Sequence, residues 1–391
     1  MNIEYSSRAG RIPPYLFAEL ERLTAEKKKQ GVDIISLGIG DPDIPTPKFV
    51  IEVLQEEVEK PGNHQYPSSQ GERFYREAVA KWYFIRFGVE LDPDKEVCNV
   101  MGSKEGIANI ARAFVNPGDS VLVPDPAYPV YYNGATILCD GKPVVMPLLE
   151  ENGFLPQYDA IPQSELKKSK MVYVNYPNNP IGAVASNEFL KETIQFALEN
   201  NLILCYDNAY SEFTFDDYVA PSIFEFEGAK ECAVEFHSCS KTFCMTGHRV
   251  GWAVGNEKAT AGLKKIKSNI DSGCPMYIQK AGAAALASYT SRKRPEVVEK
   301  IMKEYEYRRN VLADGLNGIG VKCSKPKATF YVWARVPFGD SLSFVKKVLE
   351  QGVVITAGTG FGKYGEGYVR FALTQNEDKI KEAVERISGS L

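Results

Sequence analysis

Residues 235–256 read EFHSCSKTFCMTGHRVGWAVGN, and this stretch decides how the rest of the chain is interpreted. Ser238 and Ser240 stand just before Lys241, and Arg249 directly precedes an apolar run at 250–254 that is typical of a strand. A lysine among small hydroxyl residues, with a guanidinium nearby, suits a lysine that forms a Schiff base while its neighbours hold the phosphate of the same cofactor. This chemistry indicates pyridoxal 5'-phosphate. A solvated loop explains the short motif equally well, so the remaining sequence has to decide.

Length and composition narrow the class of protein. The chain has 391 residues, 44% of them hydrophobic, which is enough for two domains with a full core. Lys+Arg total 46 against Asp+Glu 50, so no excess positive charge is present to hold a polyanion, and we expect no nucleic-acid partner. The N-terminus lacks the profile of a secretory signal and no window is long enough to cross a bilayer, so we expect no membrane association and a cytoplasmic location.

The cysteines and histidines do not form a recognisable ligand pattern. Eight cysteines are scattered without a C-x-x-C pair, which predicts reduced, mostly buried thiols. The three histidines share no ligand spacing, so we predict no metal site.

Strand and helix patterns alternate through the middle of the chain. Helical patterns such as 104–114 and 187–199 separate apolar runs at 120–123, 142–147, 171–174, 202–206, 233–237 and 250–254. This order predicts an α/β fold with a mostly parallel central sheet covered by helices, and such sheets bind ligands at the carboxyl ends of their strands. Long helices and strands at 329–334 and 368–372 follow, which predicts a smaller α+β domain. We assign 40–285 to the large domain, and 1–39 with 286–391 to the small one.

Several polar residues stand where those strands end. Asp207 directly follows the strand LILCY, with Tyr210 three positions on, and a carboxylate there could pair with a pyridine nitrogen. Asn179 lies in the turn NYPNNPIG, from which its amide could reach a ring oxygen. An ordinary helix cap explains Asp207, and simple turn chemistry explains Asn179, without any ligand.

Three further segments have two explanations each. Ser103 and Lys104 open a helix, and Ser103 as its N-cap would leave backbone N–H groups free for a phosphate, although an ordinary cap is the competing account. Tyr128, held between prolines in DPAYPVY, could stack on a planar ring or simply pack. Arg370 in YVRFAL is either paired in the core or directed at a substrate carboxylate.

Taken together, the segments resemble a known family. GSKEGI, DPAYPVY, NYPNNPIGA, YDNAYSEF, SCSKTFCMTGHRVGW and RFAL occur in the order found in the fold-type-I pyridoxal-phosphate aminotransferases of class I/II. IPPYLFAELERL, LGIGDPDIPTP, QYPSSQG and PLLEENGFLP are most similar to the LL-diaminopimelate aminotransferases. Two departures could alter the pocket: Ile181 replaces the threonine usual in the family, and His248 stands where a tryptophan is frequent.

The resemblance implies a role for each candidate. Lys241 would hold the cofactor covalently and act as the general base, Asp207 would pair with the pyridine nitrogen, and Tyr210 would bond the ring's phenolic oxygen together with Asn179. Tyr128 would stack on the ring. The phosphate would be held by Ser103, Lys104, Ser238, Ser240 and Arg249.

Substrate and partner contacts are implied in the same way. Arg370 would bind the substrate α-carboxylate, with Tyr15, Gly40, Lys104, Tyr128 and Asn179 also lining the substrate site. Tyr66 resembles the tyrosine that reaches the phosphate of the neighbouring subunit's cofactor, which implies a homodimer with shared active sites.

The activity implied is transamination between LL-2,6-diaminopimelate and 2-oxoglutarate, giving tetrahydrodipicolinate and glutamate, in lysine and diaminopimelate biosynthesis. The substrates would thus be amino acids and 2-oxo acids. An aspartate, alanine or aromatic aminotransferase, or a carbon–sulfur lyase on the same fold, would use the same motifs, so these alternatives stay open.

Overall fold

The computed structural model of the chain describes residues 1, 3–13, 16–389 and 391, and of residues 16–20 the backbone alone. The strands in this part of the chain are β1 (Ile35–Ser36), β2 (Val97–Val100), β3 (Ser120–Asp125), β4 (Lys142–Pro147), β5 (Ser169–Asn175), β6 (Ile203–Asp207), β7 (Ala233–Ser238), β8 (Gly251–Gly255), β9 (Tyr331–Arg335), β10 (Val353–Val354), β11 (Thr356–Ala357) and β12 (Tyr368–Ala372).

Helices occupy most of the remaining chain. Their bounds are α1 (Ser7–Gly10), α2 (Leu16–Lys29), α3 (Lys48–Val58), α4 (Arg73–Phe87), α5 (Ser103–Phe114), α6 (Gln163–Leu166), α7 (Asn187–Glu199), α8 (Ala229–Cys232), α9 (Cys239–Thr242), α10 (Glu257–Lys267), α11 (Met276–Ala287), α12 (Glu296–Gly318), α13 (Ser341–Glu350) and α14 (Glu377–Ser388). Within the described ranges, none of these helices has the length and apolar character required to span a bilayer.

A seven-stranded sheet forms the centre of the molecule. Its order is β2-β8-β7-β6-β5-β3-β4, and β8 alone runs antiparallel to its neighbours. Both faces are buried: in β3, Leu122 belongs to one core cluster while Val121 and Val123 belong to another. Successive side chains of a strand point to opposite faces, so near-continuous apolar strands need helices on both sides. The predicted mostly parallel α/β sheet is therefore confirmed.

One strand of this sheet escaped the sequence analysis. β2 has only four residues, VCNV, all buried, and it pairs with β8 at the edge of the sheet. Asn99 interrupts its apolar pattern, and its Nδ2 donates to the Gly251 carbonyl at 3.0 Å. A short strand with a central polar residue leaves no clear periodic signal, so only the pairing with β8 reveals it.

The chain ends combine in smaller sheets. β9, β11 and β12 form an antiparallel sheet in the order β11-β12-β9, and β1 pairs in parallel with β10. The N-terminal strand thus joins the C-terminal part of the chain. The domain boundaries given above stay a prediction.

Candidate active site

The carboxyl ends of the parallel strands meet at one edge of the central sheet. Asp207 ends β6, Ser238 ends β7, and Asn179 lies four residues beyond the end of β5. A cavity of about 360 Å³ opens there. Its lining includes the predicted residues Gly40, Ser103, Lys104, Tyr128, Asn179, Asp207, Tyr210, Ser238, Ser240, Lys241, Arg249 and Arg370.

Two predicted residues, Tyr66 and Tyr15, are not among those lining residues. Tyr66 lies on the surface, where it is 89% exposed and lines a groove together with Tyr277. Tyr15 lies outside the described residues. The roles of all these side chains stay a prediction.

Lys241 is held at the first turn after β7. Ser238 is the N-cap of α9, and its hydroxyl accepts a hydrogen bond from the Ser240 backbone N–H at 3.1 Å. Lys241 Nζ donates to the Gly40 carbonyl at 3.1 Å. Burial lowers the pKa of this amine to about 8, and the positive charges of Arg370 and Arg249 act in the same direction. An amine with this pKa is partly neutral near neutral pH, as a nucleophile or general base must be.

Asp207 presents a buried carboxylate to the same cavity. Tyr131 donates a hydrogen bond to its Oδ2 at 2.6 Å, and the Ala209 N–H lies 3.4 Å from Oδ1. Burial raises the pKa of Asp207 to about 6, and the hydrogen bond from Tyr131 opposes that rise. A cationic nitrogen bound nearby would favour the ionised carboxylate, so this site suits a protonated heterocycle. The sequence analysis missed Tyr131, although it stands three residues after Tyr128 in DPAYPVY.

The N-terminus of α5 forms the end of the cavity that suits an anion. Our prediction that Ser103 is the N-cap was wrong: Gly102 is the cap, at φ 78°, and Ser103 is the first helical residue. The positive φ of this cap favours glycine, and a Cβ there would lie 2.2 Å from Arg249 Nη2 and displace the guanidinium. Arg249 is fixed beside this turn, since its Nη2 donates to the Met101 carbonyl at 3.1 Å. Helix N–H groups, serine hydroxyls and a guanidinium converge here, which fits a phosphate.

Arg370 approaches the cavity from β12, in the other sheet. Its side chain is 1% exposed, Nη1 donates to Asn179 Oδ1 at 2.9 Å, and Nη2 donates to the Gly38 carbonyl at 2.8 Å. The guanidinium lies 4.1 Å from the ring centroid of Tyr331 and 4.6 Å from that of Phe361. The predicted carboxylate-binding arginine is therefore brought to the cavity with its plane fixed.

Asn175 and Tyr331 also line the cavity, and the sequence analysis missed both. Asn175 Oδ1 accepts from the Asn179 N–H and its Nδ2 donates to the Asp207 carbonyl, each at 2.8 Å, so it ties two loops together. Its position at the end of the strand MVYV was the available signal. No sequence signal pointed to Tyr331, because it belongs to a strand of the other sheet, far from these loops in the chain. In the parts of the chain described, no group of three or more His, Cys, Asp or Glu residues could hold a metal ion.

Comparison with known proteins agrees with this geometry. The family model described as aminotransferase class I and II matches residues 32–387. The chain belongs to the class I and II aminotransferases. Among similar aminotransferases, the LL-diaminopimelate aminotransferase of Desulforudis audaxviator is 52% identical, and the alignment covers 100% of this chain and 99% of that protein. The protein of the same name from Moorella thermoacetica is 50% identical, with 98% of each chain covered.

Solved structures support the same fold. The substrate-bound BacF structure from Bacillus subtilis has a TM-score of 0.94 and 37% identity, and it covers 100% of this chain and 98% of its own. A Thermus thermophilus aspartate aminotransferase variant has a TM-score of 0.92 and 28% identity, with full coverage of both chains. The predicted fold-type-I aminotransferase architecture is thus confirmed.

Proposed function

We propose that this aminotransferase transfers an amino group between LL-2,6-diaminopimelate and 2-oxoglutarate, with tetrahydrodipicolinate and glutamate as the other pair, in lysine and diaminopimelate biosynthesis. The observation that carries the proposal is sequence identity. About half of the residues, over the whole chain, are identical to those of proteins named for this activity. The cavity supports it, because it contains a low-pKa amine, a buried carboxylate and a carboxylate-binding arginine.

The cofactor in this proposal is pyridoxal 5'-phosphate. Its phosphate would lie at Ser103, Lys104, Ser238, Ser240 and Arg249, where the missing Cβ of Gly102 leaves room beside the arginine. Asp207 would hold the pyridine nitrogen protonated, Tyr128 would stack on the ring, and Asn179 and Tyr210 would bond the phenolic oxygen. When bound, pyridoxal 5'-phosphate supplies a ring that accepts the electron pair left at the substrate Cα.

Lys241 moves the proton in this scheme. Its Nζ would take the Cα proton of the amino-acid substrate as a general base, because burial favours the neutral amine, and would pass it to the cofactor carbon that carries the nitrogen; in the second half of the exchange it would move a proton from that carbon to the Cα of the 2-oxo acid. The Gly40 carbonyl accepts from Nζ and orients the free amine. Arg370 holds the substrate α-carboxylate at a fixed place relative to that amine, so the Cα–H bond faces Nζ in each substrate.

Subunit arrangement and location are part of the same proposal. We infer a homodimer in which Tyr66, 89% exposed in the single chain, reaches the phosphate of the partner's cofactor. We place the enzyme in the cytoplasm. All eight cysteines are free, which suits a reducing compartment.

An amine-donor panel tests the function. Purified protein loaded with pyridoxal 5'-phosphate is given LL-diaminopimelate, aspartate, alanine or tyrosine, each with 2-oxoglutarate, and glutamate formation is measured. We expect the highest kcat/KM with LL-diaminopimelate. Transfer from aspartate or tyrosine without transfer from LL-diaminopimelate would refute the substrate and retain the aminotransferase.

A second candidate function is a carbon–sulfur lyase, since Lys241 and Asp207 serve both reactions. Cystathionine without any 2-oxo acid distinguishes the two. Pyruvate and ammonia released in that mixture would favour the lyase, and we expect none.

A further inference from the structure

Tyr331 contacts two residues that belong to different parts of the proposed reaction. Its ring lies under the Arg370 guanidinium at 4.1 Å, and its hydroxyl lies 3.2 Å from the Tyr210 hydroxyl. The residue is 3% exposed and lines the active-site cavity. One side chain therefore connects the substrate-carboxylate anchor with the tyrosine that faces the cofactor ring.

Two aromatic rings pack against the Arg370 guanidinium. Tyr331 is one, and Phe361, whose ring centroid is 4.6 Å from the guanidinium, is the other. These contacts and the hydrogen bonds to Asn179 and the Gly38 carbonyl hold the guanidinium in one orientation. A carboxylate that enters the cavity thus meets an arginine whose plane is already set.

The surrounding backbone keeps the rings of Tyr331 and Phe361 in place. A Cβ on Gly40 would lie 2.0 Å from Tyr331 Oη, so only glycine lets the hydroxyl reach Tyr210. Behind Phe361, the Asp125 carboxylate accepts from two backbone N–H groups, those of Lys363 at 3.0 Å and Tyr364 at 2.9 Å. The Phe361 carbonyl also accepts from the Ala127 N–H at 2.8 Å.

The hydroxyl pair can act on the cofactor side. The Tyr210 hydroxyl donates to the Tyr331 oxygen at 3.2 Å, and a phenol has one proton to donate, so Tyr331 competes with an acceptor in the cavity for the Tyr210 proton. Burial raises the pKa of Tyr210 well above its usual value, so this group stays a neutral donor. Removal of the Tyr331 oxygen would leave that proton wholly to the acceptor in the cavity.

We propose that Tyr331 is a positioning residue, which holds Arg370 in place through its ring and, by accepting the Tyr210 proton through its hydroxyl, weakens the hydrogen bond that Tyr210 gives to the cofactor's ring oxygen. This inference rests on the proposed function and deepens it. The ring and the hydroxyl of Tyr331 have separate effects, and single substitutions can remove each of them in turn.

Three variants of the cofactor-loaded enzyme test the inference through two measurements. Glutarate carries carboxylates and no amine, so its affinity, measured by calorimetry, reports on carboxylate binding, including that by Arg370. The pH titration of the bound cofactor's visible absorbance reports on hydrogen bonding to its ring oxygen. Tyr307→Phe is the matched control. Tyr307 is an exposed phenol on α12, outside the cavity, and its hydroxyl donates to Glu377.

The expected results differ for each variant. Tyr331→Phe should lower the titration midpoint by about 0.5 to 1 pH unit, because the Tyr210 proton is then free to bond the ring oxygen, and should leave glutarate affinity within about twofold. Phe361→Leu should weaken glutarate binding by about three- to tenfold and leave the midpoint unchanged. Tyr331→Leu should do both.

The inference is overturned if Tyr331→Phe has the midpoint of the Tyr307→Phe control, or if Tyr331→Leu binds glutarate as tightly as that control. Failure of the proposed function looks different. Unaltered protein that takes up no pyridoxal 5'-phosphate refutes both, whereas an active aminotransferase with unchanged Tyr331 variants refutes the inference alone.

Discussion

Replacing Arg370 by lysine removes a two-pronged grip and keeps the positive charge. In the protein, the two ends of the guanidinium donate at 2.9 Å to Asn179 and at 2.8 Å to the Gly38 carbonyl, and the group packs against the rings of Tyr331 and Phe361. A lysine ammonium has one head, so it cannot keep this edge-on geometry and also bind both oxygens of a carboxylate. Loss of one charged hydrogen bond, about 1.5–3 kcal/mol, predicts a fall in kcat/KM of about 10- to 150-fold.

The assay compares the loss across substrates. We would measure kcat/KM of Arg370→Lys for LL-diaminopimelate, glutamate and the best third donor of the panel. Because every amino acid carries the same α-carboxylate, we expect the same fold loss for each. Arg335→Lys is the control: Arg335 lies two pairing positions from Arg370's partner Trp333, is exposed, and bonds Glu150 at 2.9 Å. Surface pairs contribute about 0–1 kcal/mol, so its activity should be unchanged.

An uneven result would refute the reasoning. If Arg370→Lys lost activity with LL-diaminopimelate and kept it with glutamate, Arg370 would read a side chain and would not be the α-carboxylate anchor. An equal loss in the Arg335→Lys control would show that the effect comes from disturbance of the sheet.

Three further outcomes are expected. Lys241→Ala should abolish covalent, visibly coloured attachment of pyridoxal 5'-phosphate, and an unchanged spectrum in this variant would contradict its assignment. Attachment of the cofactor to unloaded protein should speed up as pH rises through about 8, since a lowered pKa leaves the Lys241 amine neutral above that value; a midpoint near the ordinary lysine pKa would count against burial of the amine. Gly102→Ala should weaken cofactor retention by about tenfold or more, because the new Cβ displaces Arg249. Gly118→Ala is the control, since Gly118 also has a positive φ but no atom lies within 4 Å of the added Cβ. This control should leave retention unchanged, which separates the effect of the clash from that of backbone strain.

Local sequence patterns were sufficient to predict most of the fold and the part of the site at the carboxyl ends of the central strands. α7 and β4 have the bounds that their periodicity predicted, because a buried strand or an amphipathic helix leaves its signal in a few neighbouring residues. Asp207 and Lys241 could be placed at one edge because parallel strands present their carboxyl ends together. The Ser103 cap failed since Gly102 and Ser103 are both common caps, and only the approach of Arg249 chooses between them.

The order of strands and helices, the lysine motif after β7 and the acid after β6 follow from residues that are neighbours in the chain, and the sequence by itself determined these features. Tertiary structure alone decided that Tyr331 lies between Arg370 and Tyr210, that Phe361 also packs against the guanidinium, and that Tyr131 bonds Asp207. Those contacts join strands and loops far apart in the chain, and a side chain's neighbours across such distances are set by packing, which no local periodicity encodes.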